Sequence, residues 1–201
     1  MPETPTSPSE DTRQRIITAA LQLFGQVGYT RAATRLIAEN AGVNEVTLFR
    51  HFGSKKNLLM ACMETFNAGG FAATFEAGLS GDYSSDIAHM ARLQSKNTLE
   101  NLDVLRLLLS DTRNVPELQE AMRRGGSGNM AIVAAYFQRQ IEAGVVCPGL
   151  PAEVLASAFD SLFSTPVIFA NLFNDGEAPI LPDDRSLQAL VDLFVRGTQA
   201  T

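Results

Sequence analysis

Gly42 to Leu59 reads GVNEVTLFRHFGSKKNLL, and the placing of Lys55 and Lys56 in that stretch needs an explanation. Ser54 is a natural helix N-cap, so both lysines fall in the first turn of the helix that follows. That end of a helix is the positive pole of its dipole, where a cation costs a few tenths of a kcal/mol, or roughly 1 kcal/mol at most. Upstream, Asn44 is placed to cap a short helix over about 45–51, with Leu48 and Phe52 inward. Gly42 is placed to end, in a left-handed turn, a helix over about 34–41 with Leu36 and Ile37 inward. Two short helices joined by Ala41-Gly42-Val43-Asn44 have the proportions of a helix-turn-helix. The second helix of such a unit enters the DNA major groove amino end first, and Glu45, Val46, Thr47 and Arg50 are expected to project from it. Glu can accept from cytosine N4, and Val and Thr methyls can touch a thymine methyl. A phosphate at the start of the next helix would meet free N–H groups, the dipole and Lys55 together. The penalty in the free protein then becomes affinity in the complex.

Charge is divided along the chain in a way that fits. The net charge of −6 argues against nucleic acid, but residues 12–56 carry seven Lys/Arg against two Asp/Glu. Residues 57–201 carry nine against seventeen. A local anion-binding face on an acidic body is the implied arrangement. Arg13 and Arg15 on the first helix read as a solvated face, with phosphate contact as the alternative.

The rest of the chain reads as helix. Residues 12–27 place Ile16, Ala20, Leu23, Phe24 and Val27 on one stripe, with Ser7-Pro8-Ser9-Glu10 able to cap its start. The helix that carries the two lysines is expected to run to about Ala68 or 69. Further helices are expected over 85–100, 101–110, 116–143, 152–173 and 185–198, and strand patterns are absent. Gly125, Gly126 and Gly128 fall inside 116–143, which predicts a kink or break there. Residues 1–9, rich in Pro, Ser and Thr, are expected to be a disordered tail without the basic-then-apolar form of a signal peptide, which favours a cytoplasmic, nucleoid-associated protein. No apolar run is expected to approach the roughly 18 to 20 residues that cross a bilayer. Cys62 and Cys147 have no CxxC spacing and read as ordinary thiols.

GYTRAATRLIAENAGVNEVTLFRHFGSKKNLL resembles the DNA-binding domain of the tetracycline-repressor (TetR) family, whose run is G-[YF]-x-x-[TS]-T-x-x-x-I-A-x-x-A-G-V-S-x-x-x-[LI]-[YF]-x-[HY]-F-x-[SN]-K-x-x-L. The match spans about residues 10–60. The resemblance implies an all-α protein: a three-helix helix-turn-helix domain over 10–56, and a larger helical ligand-binding and dimerisation domain over 57–201. It implies a homodimer on palindromic double-stranded operator DNA and a small-molecule inducer that releases it. Thr34 or Arg35 should touch phosphate, Glu45, Val46 and Thr47 should face the groove, and Arg50 and His51 should reach backbone or base edges. Lys55 should contact phosphate, and Asn44 and Phe49 complete the DNA-binding set. Ala33 stands where the family usually has a capping threonine, Leu36 replaces a frequent acid, Val46 a common glycine, and Phe49 the commoner tyrosine.

In the body, Met63, Phe66, Met90, Met130, Tyr136, Phe137 and Phe163 suggest an apolar, adaptable cavity for a hydrophobic or amphipathic molecule. Gln94, Asn97, Asn101 and Arg106 are candidate polar anchors. The segment 152–173 is apolar around most of its circumference and should be buried on more than one side. Leu155, Phe159, Leu162 and Phe169, with Leu187, Leu190, Val191 and Phe194 of the last helix, are the expected seam of a four-helix dimer interface. No nucleophile–base pair, metal-ligand spacing or phosphate loop appears, so neither enzyme activity nor a cofactor is expected. A ligand-carrying helical bundle without DNA binding is the alternative, and it has no use for the basic face. A transcriptional activator of the same fold is another.

Overall fold

The computed structural model describes residues 8–68, 71–111, 115–116, 118–120, 128–172, 174 and 180–200. The chain divides into two compact units, one of residues 1–67 with 103–125, the other of 68–102 with 126–201.

The first unit is built on α1 (Pro8–Val27), α2 (Thr34–Asn40), α3 (Glu45–Phe52) and α4 (Lys55–Ala68). The α1 stripe of Ile16, Ile17, Ala20, Leu23 and Phe24 is buried against Ile37 and Ala38 of α2, Leu48 and Phe52 of α3, and Leu58, Leu59 and Cys62 of α4. Leu36, expected inward, is 43% exposed. A seven-residue helix has one buried face, and Ile37 and Ala38 occupy it. α1 begins at Pro8, so residues 8 and 9 are helical rather than tail, and residues 1–7 lie outside the described residues.

The sequence reading places everything beyond residue 56 in one body, but packing divides it otherwise. Val104 and Leu107 of α7 (Leu102–Asp111), with Val115 and Leu118, join the core of the first unit. Their spacing marks an apolar stripe without indicating which core receives it.

The second unit contains α5 (Phe71–Ala77), α6 (Tyr83–Glu100), α8 (Gly128–Glu142), α9 (Ala152–Leu172) and α10 (Asp184–Thr198). α5, anchored by buried Phe71 and Phe75, was not expected from sequence. The bend predicted at 125–128 falls on residues outside the described set, apart from Gly128, which opens α8. α9 packs against α6 and α8. Among the described residues it is the one helix long and apolar enough to cross a membrane by length and composition, against the expectation of none. Its core face of Leu155, Ala156, Phe159, Phe163 and Val167 accounts for much of that apolarity. Phe75, Tyr136, Phe137, Phe159, Phe163 and Phe194 form a continuous aromatic chain, with neighbouring ring centroids 4.8 to 6.5 Å apart. Val146 and Gln199 form an isolated antiparallel bridge, fastened by Cys147 N–H to the Thr198 carbonyl and Ala200 N–H to the Val145 carbonyl, both 2.9 Å.

Two polar clusters are embedded in this unit. Asp86, 2% exposed, accepts from Ser80 N–H (2.6 Å), Ser80 Oγ (2.8 Å), Gly81 N–H (3.2 Å) and the Tyr136 hydroxyl (3.2 Å). It fastens the loop before α6 to α8. Gln94 Nε2 donates to Asp160 Oδ1 (2.7 Å) and Ser164 Oγ (2.9 Å), and Thr98 Oγ1 to Ser164 Oγ (3.0 Å), which ties α6 to α9.

Candidate nucleic-acid interface

The turn between α2 and α3 is fixed by backbone chemistry. Val43 N–H donates to the Ala38 carbonyl (2.9 Å) and Gly42 N–H to Glu39 (3.0 Å), the bond pair of a Schellman motif. That motif needs a left-handed residue, and Gly42 supplies it at φ 67°. Arg15 of α1 closes the same end by donating Nη1 to the Ala41 carbonyl at 3.1 Å, while its Nε lies 3.2 Å from Asp11. Arg15 is thus a strut that holds α1 to the end of α2. Arg13 places its guanidinium 5.5 Å from the centroid of the Phe52 ring. Arg13 is half-buried against that ring rather than on the solvated face expected for it, whereas Arg15 is exposed as expected even while it bonds the carbonyl.

α3 begins at a capped end. Asn44 Oδ1 accepts from Thr47 N–H (2.8 Å) and Thr47 Oγ1 (2.9 Å), as the sequence anticipated for the cap. Ala33 gives α2 no side-chain cap, but Thr34 Oγ1, one residue on, donates to Glu45 Oε1 at 2.6 Å. This bond joins the amino ends of α2 and α3 and turns the Glu45 carboxylate toward Thr34. Two residues read from sequence as DNA contacts therefore contact each other. No local signal reveals this, because the pairing depends on how the two helices cross.

Leu48 and Phe52 anchor α3 in the core, and the opposite stripe faces solvent. Val46 is 77% exposed, Phe49 41%, and Arg50 is exposed one turn beyond Val46. Among the described residues the Arg50 guanidinium makes no hydrogen bond or ion pair. His51 is half-buried beside the Phe52 ring, at a centroid distance of 6.1 Å. Arg35 is exposed and paired with Glu39 at 2.9 Å, which together with the charge of Glu45 holds its guanidinium above its ordinary pKa.

Lys55 and Lys56 have different surroundings. Ser54 caps α4 by accepting from Asn57 N–H at 3.1 Å. Lys55 reaches back across the loop after α1, with Nζ 3.4 Å from the Thr30 carbonyl and 4.6 Å from the Tyr29 ring centroid. A carbonyl and a π-face thus offset the unfavourable dipole. Lys56 is exposed. Arg31, in the turn after α1, closes the end of that helix by donating Nε to the Val27 carbonyl at 2.8 Å.

A helix-turn-helix whose second helix exposes Val46, Phe49 and Arg50 to solvent decides the class. A family profile described as "Bacterial regulatory proteins, tetR family" matches residues 16–62, from the core of α1 into α4. The chain is a TetR-family regulator. The HTH-type transcriptional regulator YvkB of Bacillus subtilis is 26% identical over 192 residues, covering 94% of this chain and 98% of that one. Among solved structures, the fatty acid degradation regulator FadR from Bacillus halodurans superposes with a TM-score of 0.70 at 18% identity, over 96% of this chain and 95% of that one. NalD of Pseudomonas aeruginosa, the secondary repressor of the MexAB-OprM multidrug efflux pump, gives 0.67 at 20%, over 95% and 98%. At these identities the two structures speak for the fold alone. TetR-family members are DNA-binding transcriptional regulators rather than enzymes.

The body residues are arranged less simply than the sequence implied. Met63 and Arg106 belong to the first unit, Met63 in its core and Arg106 paired with Asp103 at 3.4 Å. They cannot join Met90, Tyr136, Phe137 and Phe163 in a cavity within the second unit. Those four are buried in the aromatic core, with Met130 packed at its edge, and the Phe66 side chain lies outside the described set. Gln94 is buried in the Asp160–Ser164 cluster, while Asn101 Nδ2 bonds its neighbour Asn97 at the end of α6. Of the expected dimer seam, Leu155, Phe159, Leu187, Val191 and Phe194 are buried within the single chain. Leu162 and Leu190 are half-buried, and Phe169 is 66% exposed. An all-round apolar helix does not declare which of its faces meets its own core. The apolar side chains that do face solvent on α9 and α10 include Val154, Phe169 and Leu193.

Proposed function

We propose that this regulator is a dimeric repressor whose two α3 helices occupy successive major grooves of a palindromic operator, about 34 Å apart. The observation that carries the reading is the outward stripe of α3, with Val46, Phe49 and Arg50 exposed on a helix whose other side is locked by Leu48 and Phe52. Lys55, held over Tyr29 at the amino end of α4, supplies a phosphate contact at the positive pole of that helix. Arg35 and Thr34 sit at the start of α2, where Arg35 reaches phosphate by exchanging Glu39 for it. Dimerisation uses the solvent-facing apolar side of α9 and α10, Val154, Phe169 and Leu193 with Leu162 and Leu190 beside them.

The inducer in this reading is a small hydrophobic or amphipathic molecule taken into the aromatic core of the second unit, with the Gln94–Asp160–Ser164 cluster as its polar anchor. Inducer stabilises a body conformation that shifts α4, one of the covalent paths between the units, at 67–68, and so changes the spacing of the two α3 helices. The protein acts in the cytoplasm, where operator DNA is found.

An electrophoretic shift on the intergenic DNA beside the gene, with and without hydrophobic compounds, tests both halves. Arg50→Ala and Lys55→Ala should weaken binding, and Lys55→Ala should do so on every sequence with a salt slope shallower by about 1. Lys55→Ala without effect would favour the ligand-carrying bundle. Binding unaltered by any ligand would remove the inducer from the scheme.

A further inference from the structure

We infer that operator selectivity rests on thymine methyl groups read by Val46, with Glu45 acting as a strut rather than a base reader; this depends on α3 being the groove-entering helix. The first turn of α3 is the part that reaches base edges. In this chain, the Asn44 amide oxygen, the Thr47 hydroxyl and one oxygen of Glu45 are already engaged within the protein. Asn44 Oδ1 takes both Thr47 N–H and Thr47 Oγ1. The Glu45 carboxylate, half-buried, is turned to Thr34 by a 2.6 Å bond. What the turn presents outward is hydrocarbon: Val46 at 77% exposure, with Phe49 three residues on extending the same stripe. A major-groove edge offers donors and acceptors at every base pair, and only the C5 methyl of thymine rewards an apolar side chain. Arg50, at i+4 from Val46, adds a cation on the same side of the helix and sets the register along the groove.

An exposed valine in a strongly basic segment otherwise loses hydration free energy without return. Contact with a methyl removes both apolar surfaces from water at once. Loss of one buried methyl corresponds to about a fourfold change in affinity.

The test takes the full-length protein and a random duplex pool. Sequences enriched by the wild type define the operator, and each thymine is then replaced singly by deoxyuridine, which deletes the methyl and leaves pairing intact. Wild type should lose about fourfold at one or more positions in each half-site. Val46→Ala should bind the thymine and deoxyuridine forms equally at those positions, and Glu45→Gln should retain the wild-type thymine pattern. A flat deoxyuridine scan, or equal sensitivity in Val46→Ala, overturns the inference while leaving DNA binding intact. Failure to enrich any sequence overturns the operator reading itself. Circular dichroism of Val46→Ala, an exposed site, verifies that it folds.

Discussion

Gly25 of α1 lies so close to Asp103 of α7 that a β-carbon at position 25 would stand 2.9 Å from the Asp103 Cβ and 3.0 Å from its Cα. Ordinary Cβ contacts are looser, and one of the atoms met is backbone. Gly25→Ala should therefore destabilise the protein by about 1 to 3 kcal/mol, although alanine is the better helix former by about 1 kcal/mol. Adding Asp103→Ala should not restore stability, because the nearest atom is the β-carbon itself. Urea unfolding of the two variants decides this. Gly25→Ala as stable as wild type would mean that α1 and α7 part without cost.

The two cysteines should differ sharply in reactivity. Burial pushes the Cys62 thiol up to about 12, so at pH 8 it is protonated and shielded, while Cys147 is only half-buried. Iodoacetamide under native conditions, followed by peptide mass spectrometry, should modify Cys147 first. Labelling of Cys62 should track unfolding of the first unit and accelerate in Gly25→Ala.

Asp160 predicts a pH dependence. Burial raises its carboxyl above the ordinary 3.8, and the Ser164 hydrogen bond only partly reverses this. The native state then binds the proton more tightly than the unfolded chain does. The contribution to stability is therefore full below 3.8 and declines as pH rises from 3.8 through the raised value. Asp160→Asn keeps an acceptor for Gln94 and Ser164 and should flatten that slope. Urea midpoints measured across the acidic range would show it, and an unchanged slope would assign the titration elsewhere.

Interface and core variants of the last two helices should separate cleanly. Phe169→Asp with Leu193→Asp, at positions 66% and 63% exposed, should yield a folded monomer with weakened operator binding. Phe194→Ala, in the aromatic core, should lower stability by about 3 to 5 kcal/mol whatever the oligomeric state. Sedimentation and thermal melts distinguish the two. A dimer that survives the double aspartate change would place the interface on another surface.

The helix-turn-helix is legible because its signals are local. Asn44, Gly42 and Ser54 act on backbone within three or four residues, and they cap and turn as their types dictate. What escapes a linear reading is every decision made between elements. Thr34 with Glu45, Arg15 with the Ala41 carbonyl and Lys55 with Tyr29 join residues 11 to 26 positions apart, through helix crossings that residue type does not encode. The body suffers the same ambiguity on a larger scale. Phe159 and Phe169 both lie on the apolar surface of α9, yet one is sealed in the core and the other stands in solvent. Hydrophobic periodicity identifies stripes, and only packing assigns each to its own core or to a partner.

Because Val104, Leu107, Val115 and Leu118 complete the core around α1 to α4, the helix-turn-helix head is discontinuous in the chain. During ribosomal synthesis it must wait, with part of its apolar surface bare, until those later residues emerge. Chimeras that exchange heads between relatives by cutting once after α4 would graft an unfinished domain. A working transplant has to carry both segments.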